Sequence, residues 1–211
     1  MKNLKCLFVA LVASSALSLS ASAAASPSAK EMTFSNYAAY AGLNFASIST
    51  SAPAEFNGYT SALIGIRAST PISEPLSFVP GAQIVNRGFG TRTLGLDTTI
   101  HLTYLEFPLL VVARFPGEAT SVVPYFMAGP NLGIKLGSGC SVDGASSCSI
   151  TYSNFNTLAL SLDLGAGVEF PMSNGQAIST EFRYHHELTS FMSAGASFHH
   201  RGVELVGAFH F

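Results

Sequence analysis

Histidine occurs in two adjacent pairs, His185-His186 and His199-His200. Neutral imidazole is a common ligand for zinc, and two imidazoles on facing strands stand close enough to share an ion. An antiparallel register that sets His185 opposite His200 also sets His186 opposite His199. Strand alternation then turns His185 and His200 to one face and His186 and His199 to the other. These four are the metal candidates. The commoner role of such a histidine is a polar tip on an apolar ring, and no metal or other cofactor is expected. His185, His186, Glu187 and Ser190 also bring base, acid and nucleophile types into one short stretch. No spacing among them lines up a nucleophile, a base and an orienting group. Gly88-Phe89-Gly90 and Gly137-Ser138-Gly139 lack the lysine or helix that a phosphate loop needs. Catalysis is therefore not expected, and a rim-located enzyme is the last of the readings carried.

The charged residues suggest a different chemistry. Arg67, Arg87, Arg114, Lys135 and Arg183 stand against Glu106, Asp163, Glu169, Glu181, Glu187 and Glu204. Charges removed from water must be paired or they cost several kcal/mol each. Near balance of sign suits mutual neutralisation inside a fold. The elements that carry these residues have to turn all of them to one interior.

Those elements read as strands. From Thr157 to Phe170 the even positions are Leu158, Leu160, Leu162, Leu164, Ala166, Val168 and Phe170, and the odd ones are small or polar. Ile178, Phe182 and Tyr184 likewise oppose Ser179, Glu181, Arg183, His185 and Glu187. The same parity runs through Val123–Leu136, Ile100–Phe115 and the last strand, where Val203, Leu205, Phe209 and Phe211 oppose Glu204 and His210. Tyr37–Ile48, Tyr59–Thr70 and Leu76–Phe89 complete eight strands. A soluble sandwich also alternates, with its apolar face as core. Three features favour apolar-outward instead: balanced charge on the polar faces, strands of about 14 residues, and short turns alternating with long loops. Thr70–Pro75, Phe115–Ser121 and Phe170–Gln176 are the short connections; Ser49–Gly58, Gly88–Thr99, Gly137–Asn156 and Thr189–Phe198 are the long ones. The expected fold is an all-β, eight-stranded, antiparallel, up-and-down transmembrane β-barrel. A soluble exported barrel with its apolar face covered by a partner is the alternative.

Composition agrees. Hydrophobic residues make up 48% of the 211-residue chain and charged residues only 10%, well below the roughly 25% charge of an ordinary soluble domain. Ten Lys+Arg against 12 Asp+Glu leave a net charge of −2, which does not suit nucleic acid as a partner. Lys2 and Lys5, the apolar run Cys6–Leu19 and the small residues Ala21-Ser22-Ala23 read as a secretory signal over 1–23. Residues 24–36 then form an N-terminal periplasmic segment, and 37–211 the barrel. Cys6 precedes the apolar run, so lipidation is not expected. The remaining cysteines, Cys140 and Cys148, are expected to form a disulfide in the third outer loop, since export leads to an oxidising compartment. Two free thiols or a metal pair is the alternative.

Several strings resemble the PorT-like outer membrane protein β-barrel domain family. They are Ala41-Gly42-Leu43-Asn44, Leu76-Ser77-Phe78-Val79-Pro80, Tyr104-Leu105-Glu106-Phe107-Pro108-Leu109-Leu110 and Pro124-Tyr125-Phe126-Met127-Ala128-Gly129-Pro130. Gly165-Ala166-Gly167-Val168-Glu169-Phe170 and Phe182-Arg183-Tyr184 follow in family order. Ala82 departs from the acidic residue common after the Leu-x-x-x-Pro string. Terminal Phe211, with Phe209 and Leu205 at alternate positions, resembles the signal read by barrel-insertion machinery. The resemblance implies residence in the outer membrane with its lipid as partner, and implies no activity. A structural or surface-interaction role is the leading expectation, with an unspecified surface partner. A small porin-like diffusion channel is the alternative.

Overall fold

Alternation along each strand lets the chain satisfy two solvents at once, lipid outside and itself inside. The computed structural model describes residues 36–50, 56–93, 96–115, 122–142, 155–173, 175–191 and 198–211. The signal reading over 1–23 and nearly all of the N-terminal segment 24–36 fall outside them. The strands are β1 (Asn36–Thr50), β2 (Tyr59–Ser73), β3 (Leu76–Thr93), β4 (Leu96–Arg114), β5 (Val123–Val142), β6 (Leu158–Pro171), β7 (Ala177–Glu187) and β8 (Phe198–His210). Each pairs antiparallel with its neighbour in sequence, and β1 pairs with β8 to close the barrel. Tyr37 and Phe211 exchange both backbone hydrogen bonds at that seam, at 3.3 and 2.9 Å. Among the described residues no helix is long and apolar enough to cross a membrane.

The expected parity is the observed one. Phe45, Ile64, Ile66, Ile84, Phe126, Leu132, Leu164, Phe182, Leu205 and Phe209 are all exposed on the outside. Asn44, Gln83, Arg87, Glu106, Asn131, Asp163, Arg183 and Glu204 are buried inside. The inner face is less polar than the sequence suggests. Val79, Leu110, Val112, Tyr125 and Met127 pack together toward the short turns. A second apolar cluster runs up to the other mouth through Leu63, Val85 and Leu102, ending in Phe89, Phe155 and Phe191. Phe56 and Phe198 pack edge-on above it. With only eight strands, inward side chains touch across the barrel and must pack as a core.

Glycine makes room for two of these inward rings. Tyr40 lies directly opposite Gly65, and Tyr125 directly opposite Gly167. A Cβ on either glycine would come within 2.5 Å of the ring carbon Cζ. At the β6–β7 turn Gly175 adopts φ 81°, which favours glycine.

Two connections differ from expectation. The segment Gly88–Thr99 is mostly strand rather than loop: Thr93 pairs with Leu96 at the tip of a long hairpin. β5 continues past Leu136 to Val142. Tyr104 faces Lys135 but Thr103 faces Gly137, so Leu136 is an extra residue in a β-bulge. The bulge reverses the parity beyond it, which is why simple alternation ends the strand too early. Cys140 consequently lies in β5, opposite Ile100, rather than in a loop.

The histidine register is also corrected. His185 faces Gly202 and His186 faces Arg201, not His200 and His199, all four of which lie within strands. Parity survives because the shift is an even one, so periodicity cannot detect it. Charge can. The expected register would set Glu204 opposite Glu181; the observed one sets Glu204 opposite Arg183.

Leu164 sits midway along the apolar outer face of β6. Leu164→Arg should lower the stability of the inserted barrel by about 2–4 kcal/mol, whereas Leu164→Phe should be nearly neutral. Reversible urea unfolding into lipid vesicles measures both.

Candidate functional site: the ionic core of the barrel

Arg87 on β3 occupies the centre of the lumen. Its Nε and one terminal nitrogen donate to the two carboxylate oxygens of Glu106 on neighbouring β4, at 2.7 and 3.0 Å. The same terminal nitrogen lies 3.0 Å from Glu204 on β8, across the barrel. Guanidinium suits this task because its planar fork can engage a carboxylate bidentately and still reach another. All three residues are almost wholly shielded from solvent.

Uncharged amides extend the cluster. Gln83 donates to Glu106 at 2.8 Å, and Asn131 donates to both Glu106 and Asp163 at 3.0 Å. Asp163 in turn lies 2.7 Å from Nδ1 of His185. The Arg87 guanidinium lies 3.2 Å from the same ring nitrogen. His185 is thus a hydrogen-bond partner of Asp163 within the core.

Toward the short-turn end the second hub is Glu181. It pairs with Arg67 and, at 2.6 Å, with Arg183, and accepts the Tyr125 hydroxyl at 2.8 Å. Both arginines also approach the face of Tyr40, at 5.6 and 4.9 Å from its centroid. Arg183 reaches Glu204 at 3.9 Å, and Tyr40 donates to Gln83 at 3.0 Å, which joins the two hubs. Arg114 stands at the lower mouth, 3.3 Å from Glu169 and 3.1 Å from Ser77.

Of the sequence-derived charge set, Lys135 and Glu187 stand apart. Lys135 donates to the Phe155 carbonyl at 2.6 Å and lies 5.5 Å from that ring's centroid. Its position near the outer mouth, beside the bulge, puts it beyond reach of the hubs. Glu187 accepts the His200 backbone N–H at 2.9 Å and meets no cation among the described residues. His200 stacks on Phe191 at 4.3 Å.

The four metal candidates do not converge. His185 is held by Asp163, His200 lies under Phe191, His186 stacks on Tyr184 outside, and His199 lies 3.0 Å from the Thr189 carbonyl. Among the described residues no group of three or more metal-binding side chains comes together. Cys140 is disulfide-bonded, while its expected partner Cys148 lies outside the described residues. Ser190, from the rim set, accepts the Phe198 N–H on its hydroxyl at 3.2 Å. Sequence reading missed Gln83 and Asn131 as connectors. The available signal was their inward parity, since a buried amide must find partners.

A closed eight-stranded barrel, apolar outside and ionic within, defines the class: a small membrane-spanning β-barrel. The chain belongs to the outer membrane protein beta-barrel domain family, whose model matches residues 24–193. The protein is thus an outer-membrane barrel. Its fold is similar to that of the outer membrane protein OprG from Pseudomonas aeruginosa, with TM-score 0.50, 12% identity and coverage of 83% of this chain and 95% of that one. Neisserial surface protein A matches with TM-score 0.47 at 15% identity over 82% and 97% of the two chains. The attachment invasion locus protein Ail of Yersinia pestis matches with TM-score 0.43 at 15% identity over 85% and 100%. No curated protein matches the sequence.

Arg87→Ala should destabilise the barrel by about 3–5 kcal/mol, because Glu106 stays buried without its cation and Glu204 keeps only the longer 3.9 Å contact to Arg183. Arg87→Met combined with Glu106→Gln removes one charge of each sign and should cost less. Urea midpoints followed by circular dichroism on the refolded barrels compare them; a double variant as unstable as the single one would contradict the pairing.

Proposed function

We propose that this protein is a closed, non-conducting and non-enzymatic outer-membrane barrel that works through its outer surface. The observation that carries this reading is the filled lumen. The space bounded by Arg87, Tyr104, Glu106, Ser161, His185 and Glu187 leaves essentially no volume for a water molecule. The buried aromatic cluster of Phe89, Phe155 and Phe191 closes the mouth above it. Below, Arg114 and Glu169 line a vestibule of about 310 Å³ that ends at this filled core. The side chains that fill the path are cross-linked by ion pairs and cannot be displaced one at a time without exposing a buried charge.

The finer affinity to PorT-like barrels rests on the Tyr104–Leu110 and Pro124–Pro130 strings. Their inward Tyr104, Glu106 and Tyr125 all stand in the lumen. We also read residues 1–23 as a signal removed on export, and Cys148 as the partner of Cys140. That bridge would tie the end of β5 to the segment that follows it.

Planar-bilayer recordings of the purified barrel should show no stable openings. Large, reproducible conductance steps would overturn the closed reading in favour of a diffusion channel. Alkylation without reductant should leave Cys140 and Cys148 unmodified, and a mass shift from two labelled thiols would reject the bridge.

A further inference from the structure

Arg201 breaks the rule that keeps charge off the outer wall. It lies on β8, exposed, with its side chain directed outward by the same parity as Leu205 and Phe209. Among the described residues it has no carboxylate partner; the outward arginine at the hairpin tip, Arg92, is 3.5 Å from Asp97. Arg201 also sits at a defined height. Ten residues separate it from Phe211 at the short-turn end, about 33 Å of strand. At a tilt of about 40° this is roughly 25 Å along the membrane normal, the height of the apolar band of such barrels. With Phe211 at one interface, Arg201 reaches the other. Long loops mark that side as the exterior.

Its neighbours are hydrogen-bonding groups set in register. His186 on β7 and Ser47 on β1 lie directly opposite Arg201, so imidazole and guanidinium share one row, and the Ser47 hydroxyl donates to the Arg201 carbonyl at 3.3 Å. Facing residues have Cβ atoms about 4.5–5.5 Å apart. The next position outward carries His199 on β8 opposite Ser49 on β1. His186 is held in place by stacking on Tyr184, with ring centroids 6.3 Å apart and planes 15° apart. Its Nδ1 is buried with no partner among the described residues. His199 is oriented by the Thr189 carbonyl at 3.0 Å.

We propose that Arg201, with His186, His199 and Ser49, forms an external binding site for the phosphate group of an outer-leaflet lipid. A guanidinium can engage a phosphate bidentately, and the flanking side chains add hydrogen-bonding groups on both sides. The apolar wall below, Val203, Leu205 and Phe209 on β8 with Phe182 and Tyr184 on β7, receives the acyl chains of the same molecule. The ligand is a lipid rather than free phosphate, because the site opens sideways into the bilayer directly above that wall.

The folded barrel in phosphatidylcholine nanodiscs is titrated with diphosphorylated lipid A, with fully dephosphorylated lipid A as the matched probe. Native mass spectrometry counts bound lipid. The barrel should prefer the phosphorylated lipid by about tenfold, the scale of one hydrogen-bonded charge contact. Arg201→Gln should reduce that preference to near parity, His186→Gln/His199→Gln should reduce it in part, and Arg92→Gln should leave it unchanged. Unboiled gel mobility establishes that each variant is folded, and none of the four positions lies in the lumen. Equal preference in the native barrel and Arg201→Gln would overturn the site. Displacement of the lipid by inorganic phosphate alone would overturn the assignment to a lipid.

Discussion

The shared guanidinium of Arg87 is the interaction on which the barrel depends. It takes one carboxylate from the adjacent strand and one from across the lumen, Glu106 and Glu204. It thereby fixes the diameter at that level, because neither acid can retreat without stranding its charge. Gln83 and Asn131 then carry the constraint sideways to Asp163 and His185. An apolar core would fill the same space with less directional demand. What ions add here is geometry: each contact names a particular strand and a particular height on it.

This interior accounts for the outer wall. A barrel whose inward side chains neutralise one another can turn a mostly apolar wall to lipid, Arg201 on β8 being the charged exception at its outer end. Tyr40 and Tyr125 illustrate the economy of space. Each ring lies over a glycine on the next strand, so that the tyrosine hydroxyl reaches the connector Gln83 or the hub Glu181. An alanine in place of either glycine would meet the ring before the hydroxyl arrived.

Parity makes most of this legible in the sequence. Leu158 to Phe170 reads as a lipid-facing stripe because every second residue is apolar, and that stripe faces outward in the folded barrel. Two features escape it. The bulge at Leu136 turns the residues beyond it to the opposite faces, so alternation ends where the strand does not. The β7–β8 register escapes because an even shift leaves parity intact. It is nonetheless written in the charges, since only one of the two registers sets Arg183 opposite Glu204. The ionic hubs are visible as a set but not as pairs: Lys135 and Arg114 read alike in sequence, yet one meets a backbone carbonyl and the other a carboxylate.

The upward extension of β3, β4 and β5 changes the character of the sheet. Pairing between β5 and β6 ends at Ile134 and Leu158, while β4 and β5 stay paired up to Thr98 and Val142. A closed barrel has no edge strand; beyond this height, the described ladder is an open sheet of three. Its margins run along β3, where a lone bridge joins Gly90 to Asn57, and along the end of β5, where Cys140 is held by a disulfide. Strand margins present backbone donors and acceptors that other chains can extend. The hairpin that lifts this surface clear of the lipid therefore also gives up the protection of closure, and the covalent bond is placed on one of the two margins that result.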